Sequence, residues 1–100
     1  MRLLVRADGT TIALERAYSF HEIAAMIGAD VLDSRNLNPH EPENMVVMIF
    51  DDLFLSKRLP VNHRATHLYH AAGFSQQQTI CGDVVIVPDA DFANPPKRSP

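Results

Sequence analysis

Three of the five histidines, His63, His67 and His70, are spaced i, i+4, i+7. At about 100° per helical residue they project at about 0°, 40° and −20°, one narrow stripe. Ala65, Leu68, Tyr69 and Ala72 fall on the opposite side. The stripe therefore faces solvent or a groove, not the core. Histidines four apart can share a metal ion, which makes His63, His67 and His70 a candidate metal set. Arg64 follows the first histidine where a helical zinc hydrolase has Glu, and a guanidinium stays protonated, so hydrolytic zinc chemistry is disfavoured. A solvated polar face that happens to use histidine is the simpler alternative.

Anion binding is the other chemistry in reach. The net charge is −3, yet no Asp or Glu occurs from Leu53 to Gly82. That stretch carries Lys57, Arg58 and Arg64, for a charge of +3 between flanks of −5 and −1. The first turn of the histidine helix, with its free N–H groups and positive dipole end, is a place for a phosphate or carboxylate. Lys57, Arg58, Asn62, His63, Arg64, His67 and His70 are thus the candidate binding residues for a small phosphate-bearing ligand. The structural alternative is an ion pair between Arg64 and Asp51 or Asp52.

Other chemistry is poorly supplied. Ser56 and Ser75 lack a nucleophile context, and there is no Gly-rich phosphate loop. Cys81, the one cysteine, suits a buried inert thiol and leaves no disulfide. Asp30, Asp33, Asp51, Asp52 and Asp83 lack the spacing of a calcium loop. No cofactor, no resident metal and no enzymatic activity are expected.

The elements that must position these residues follow from local signals. Asp8-Gly9 between two β-rich runs predicts a hairpin over residues 2–15. Ser19-Phe20-His21-Glu22 reads as a capping box that opens a helix over 20–27, with Gly28 as its left-handed stop. Phe20, Ile23, Ala24 and Ile27 share its apolar face. A third strand is expected near Val31-Leu32, then a polar loop over 38–44. Met45 to Phe50 lacks polar alternation and predicts a strand buried on both faces. Leu53-Phe54-Leu55 is read as a short return strand. Asn62 caps a second helix over 63–72, ended by Gly73, and Ile80 to Val87 contains a last apolar strand, Val84-Val85-Ile86-Val87, stopped by Pro88.

The order β-β-α-β-β-β-α-β predicts an α+β fold, a small and mainly antiparallel sheet with two helices on one face. At 100 residues the chain holds one domain, residues 1–92, with a Pro-rich tail over 93–100 expected to be unstructured. Hydrophobic residues at 46% exclude a disordered chain, and the mild acidity argues against duplex nucleic acid as partner. Arg6 and Asp8 interrupt any secretory h-region, and no apolar run approaches the roughly 20 residues of a membrane span. A cytoplasmic location is expected.

Leu59-Pro60-Val61-Asn62-His63-Arg64-Ala65-Thr66-His67-Leu68-Tyr69 is similar to an L-P-x-N-x-x-A-T-x-L-Y pattern. Ile80-Cys81-Gly82-Asp83-Val84-Val85-Ile86-Val87 resembles the I-x-G-D-x-V-I-V strand that follows it. Together they resemble a domain-of-unknown-function family of small proteins encoded by phages, plasmids and other mobile elements. The likeness spans roughly residues 45–92, with Asp51-Asp52 in the place of the turn that precedes the Asn-bearing helix. The resemblance implies no catalytic residues. It implies a non-enzymatic accessory protein that binds a host or defence component through a protein surface. The histidines at 63, 67 and 70 lie outside what it implies.

Overall fold

A computed structural model describes residues 2–38, 41 and 44–92 of the chain. The elements are β1 (Leu3–Val5), β2 (Thr11–Ala13), α1 (Phe20–Ile27), β3 (Leu32–Asn36), β4 (Val46–Asp51), α2 (His63–Ala71) and β5 (Val84–Pro88). A 3-10 turn, Asp89–Phe92, follows β5. The strands form one antiparallel sheet in the order β2-β1-β5-β4-β3. The α+β class and the antiparallel sheet match the sequence expectation. The tail over 93–100 lies outside the described residues.

The two helices do not share a face. Val5, Met48, Phe50, Val84 and Ile86 pack with Ala65 and Tyr69 of α2. Leu4, Val47, Ile49, Val85 and Val87 pack with Ile23 of α1. Neighbouring strand residues thus point to opposite cores, as the two-residue period of a strand requires. The physical reason is in β4 and β5 themselves. Each is apolar on both faces, so helices on one face only would leave a row of Val and Ile in water, at about 1.5–3 kcal/mol per side chain.

Local chemistry sets the element ends. Ser19 Oγ accepts the Glu22 N–H at 3.0 Å, and Glu22 accepts the Ser19 N–H at 3.0 Å, so the capping box closes both ways. Gly28 (φ 72°) ends α1 and Gly73 (φ 98°) follows α2, both in the left-handed region. The strand expected at Leu53-Phe54-Leu55 is instead a turn. Asp51, 2% exposed, accepts the Leu53 N–H at 2.8 Å and bends the chain out of β4. One helical turn follows, closed by Leu59 N–H to Phe54 O (3.1 Å) and Arg58 N–H to Leu55 O (3.1 Å). That pair of bonds is a Schellman end with Arg58, at φ 56°, in the left-handed position that glycine normally fills. The last strand starts at Val84 as expected, after Gly82 (φ 82°) breaks the extended backbone, and runs through Pro88. β3 lies within the segment from Asp30 to Leu37 where a strand is expected and runs on from Leu32 to Asn36, since pairing with β4 overrides the weak β propensity of its polar residues.

Candidate functional site

The motif that carries the family resemblance folds into a single structural lock. Asn62 is 1% exposed and uses all of its reach inward. Its Nδ2 donates to Val5 O (3.0 Å) and Gly82 O (2.9 Å), and its Oδ1 accepts the Ala65 N–H (3.0 Å). One amide thereby caps α2 and ties it to β1 and to the approach of β5. Thr66 Oγ1 accepts the Ile80 N–H at 2.9 Å and faces Ile80 O at 3.2 Å. Gly82 donates to Pro60 O at 2.7 Å. A Cβ on Gly82 would lie 2.7 Å from Leu59 Cδ1, so this approach admits only glycine without displacement. Asp83 accepts the Ala7 N–H at 2.9 Å and holds the hairpin end. The open positions of the pattern, Val61, His63, Arg64 and His67, are all exposed, as is Pro60.

This arrangement draws three of the seven expected binding residues, Lys57, Asn62 and His70, into bonds within the fold. Asn62 is spent on the fold and presents nothing to a ligand. Lys57 Nζ pairs with Asp51 at 2.7 Å and donates to Gly28 O at 3.2 Å, so the ion pair expected for Arg64 belongs to Lys57. The Asp51 carboxylate correspondingly raises the pKa of Lys57. His70 Nε2 meets Gln78 O at 2.7 Å. Arg58, His63, Arg64 and His67 remain exposed, and among the described residues none of them makes a side-chain hydrogen bond or ion pair. Among the described residues, no group of three or more His, Cys, Asp or Glu side chains comes together to hold a metal ion. His63 and His67 are exposed on one helix face, and His70 at its end is held by the Gln78 carbonyl.

A cleft lies on the other side of the sheet, between α1 and β3. Its volume is about 470 Å³, within the range of small-ligand and side-chain pockets. Ala24, Leu32 and Ile49 give it apolar walls, and His21, Asp30, Asp33 and Ser34 bring polar groups to it. Phe20 stands at its lip. The capping box fixes the start of α1 and with it this ring, which stacks on Phe92 at 4.2 Å and 10°. Even so, Phe20 is 52% exposed, while Ile23 on the same helix is fully buried. Arg2 clamps the Asp89–Phe92 turn through a two-pronged pair with Asp91 (both contacts 2.8 Å), and this guanidinium holds the Asp91 carboxyl below the usual range.

Of the two carboxylates at the cleft, one is paired. Asp33 pairs with Arg35 at 2.9 Å and accepts its neighbour's N–H at 2.8 Å. Asp30 has no hydrogen-bond partner among the described residues. His21 and Ser34 line the same space, but no hydrogen bond joins them, and a nucleophile and its base need that reach. The cleft thus combines an apolar floor, an exposed aromatic ring and a few polar groups.

Sequence reasoning placed Phe20 on the core face of α1 and treated Asp30 and Asp33 only as loose carboxylates. The capping box puts Phe20 at the first helical position, but no contiguous sequence signal marks the cleft. The comparisons add no relative to this geometry: no family model, no curated protein and no solved structure matches the chain.

Proposed function

We propose that the chain is a non-enzymatic binding protein whose recognition surface is the α1–β3 cleft. The observation that carries this reading is Phe20, a large ring half exposed at the mouth of a cavity of about 470 Å³ with an apolar floor. Exposed aromatic rings beside a pocket are where binding energy concentrates. Of the seven polar residues singled out by the sequence, Lys57, Asn62 and His70 are bonded within the fold, while Arg58, His63, Arg64 and His67 are exposed.

The partner in this reading is a host or defence protein, and the setting is a phage or plasmid. Support for the setting comes from the resemblance of residues 59–69 and 80–87 alone. The structure gives those residues a role in holding the fold, so the resemblance speaks for a shared scaffold and leaves the binding surface to each chain. Affinity capture from bacterial lysate tests the reading with three baits: the wild type, Phe20→Ala and His67→Ala, each checked for native circular dichroism. Loss of a captured protein with Phe20→Ala and its retention with His67→Ala is expected. Retention with Phe20→Ala and loss with His67→Ala would move the binding surface to α2.

A further inference from the structure

The charges beside the α1–β3 cleft do not balance. Asp30, Asp33 and His21 line it, and among the described residues no Lys or Arg does. Asp33 is answered: one carboxylate oxygen meets Arg35 at 2.9 Å, and the other accepts the Ser34 N–H at 2.8 Å. Asp30 is exposed and, among the described residues, makes no hydrogen bond or ion pair. Lys57 stands within its field, and the lysine pKa is raised by Asp51 foremost and by Asp30 to a lesser degree. Yet the Lys57 Nζ is spent on Asp51 (2.7 Å) and Gly28 O (3.2 Å). Asp52, whose N–H bonds Val31 O at 2.9 Å, is exposed as well, and its carboxylate has no partner among the described residues. Asp30, Asp33, Asp51 and Asp52 thus stand against Arg35 and Lys57, two cations for four anions.

The rest of the lining is apolar. Ala24, Leu32 and Ile49 make the floor. Phe20 gives one face to Phe92, and its 52% exposure leaves the other face open. Val31, next to Asp30, is 47% exposed. A neutral apolar occupant would take water from Asp30 and return nothing for it, which is costly for a charge. An anion would meet repulsion from the same carboxylate. A small hydrated cation would leave the ring and the floor in water. A cationic head on an apolar stem meets both halves, with methylenes on the floor and the charge at the carboxylate. Guanidinium fits better than ammonium, because it is planar, stacks on an aromatic face and grips a carboxylate with two N–H groups.

We propose that the occupant of the cleft is an arginine side chain displayed by a partner protein, its guanidinium shared between Asp30 and the open face of Phe20, its methylenes over Ala24, Leu32 and Ile49. The proposal rests on the reading of the cleft as the recognition surface and adds the chemistry of what enters it. The arginine supplies the compensation for Asp30 that the chain itself does not provide. An anchoring arginine packed on an aromatic ring is also a usual centre of binding energy at protein interfaces. The excess negative charge around Asp30 and Asp52 draws such a partner in and makes the association weaken with salt.

Amide shift titration of the whole chain with N-acetyl-arginine amide tests this, with N-acetyl-citrulline amide as the uncharged counterpart of similar shape. Saturable shifts on Phe20, Asp30 and Leu32 are expected at millimolar arginine. Citrulline is expected to bind at least about tenfold more weakly, since a hydrogen bond between charged groups is worth that factor or more. Asp30→Asn alters an exposed side chain without partners, so the fold is kept, and it should bring arginine to the citrulline level. Raising the salt from about 0.02 M to about 0.5 M should weaken arginine and leave citrulline unchanged. Equal affinity for the two probes, or undiminished arginine binding in Asp30→Asn, would overturn the proposal and leave the cleft standing as a binding surface. Arginine without effect up to about 50 mM would overturn it too. The lysate capture with Phe20→Ala then decides separately whether the cleft takes a partner of other chemistry.

Discussion

Replacing Asn62 with alanine tests whether this residue holds the fold or serves a ligand. The side chain is 1% exposed and makes three hydrogen bonds. Its removal deletes the N-cap of α2, which costs about 0.5–2 kcal/mol. It also leaves the Gly82 carbonyl without its amide donor in the interior, at about 1–3 kcal/mol, and takes a second donor from the Val5 carbonyl, which keeps its ladder bond to Val84. Water entering the vacated space recovers part of this. The expected loss is about 2–4 kcal/mol, a large fraction of the roughly 5–15 kcal/mol that holds a small domain together. Asn62→Asp keeps the acceptor for Ala65 but turns a carboxylate toward two carbonyl oxygens. At neutral pH it should be at least as damaging as alanine. His67→Ala, on an exposed position, should stay within about 0.5 kcal/mol of wild type. Urea unfolding followed by circular dichroism measures all three, with the slope of the transition expected to hold constant. A loss under about 1 kcal/mol for Asn62→Ala, with an unchanged slope, would refute the reasoning, because buried polar partners would then be dispensable.

Gly82→Ala forces a side chain onto a backbone with φ 82° and toward Leu59 Cδ1, so a loss of about 1–2 kcal/mol is expected in the same assay. An unchanged midpoint would contradict the tight approach of Leu59. Arg58→Gly relieves a left-handed arginine and should raise stability by up to about 1 kcal/mol, the strain removed less the entropy glycine brings. Destabilisation would mean that the Arg58 side chain contributes more than its backbone costs. The Arg16 guanidinium, helped by the Ser19 N–H, lowers the Glu22 carboxyl to a pKa of about 2. Since the folded value lies below the unfolded one of about 4.3, this stabilisation is present above about pH 5 and is lost as pH falls toward 2. The difference in melting temperature between wild type and Glu22→Gln should shrink over that window, and a constant difference would count against the pairing.

Much of this fold was legible because its local signals are strong. The hairpin at Asp8-Gly9, the capping box at Ser19 and the glycine stops at 28 and 73 each specify backbone by short-range chemistry. The apolar runs of β4 and β5 also announced burial on both faces. That requirement already conflicted with two helices on one side, and α1 and α2 resolve it by taking opposite faces. Leu53-Phe54-Leu55 misled because its composition suits a strand, whereas the deciding contact is the buried Asp51 carboxylate on the Leu53 N–H. The site was less legible. A histidine stripe and an acid-free segment are visible in one dimension, but their partners are not. Asp51 for Lys57, Gln78 for His70 and the Val5 carbonyl for Asn62 come from distant or separately folded segments. The cleft, assembled from α1, β3 and β4, has no contiguous signature at all.

The central claim is that recognition resides in the α1–β3 cleft and not on α2. Amide shift mapping by two-dimensional NMR with a library of small aromatic and polar fragments tests it most directly. The account predicts perturbations that cluster on Phe20, Ala24, Leu32 and Ser34 and vanish in Phe20→Ala. Perturbations that cluster instead on His63, Arg64 and His67, and persist in Phe20→Ala, would contradict it.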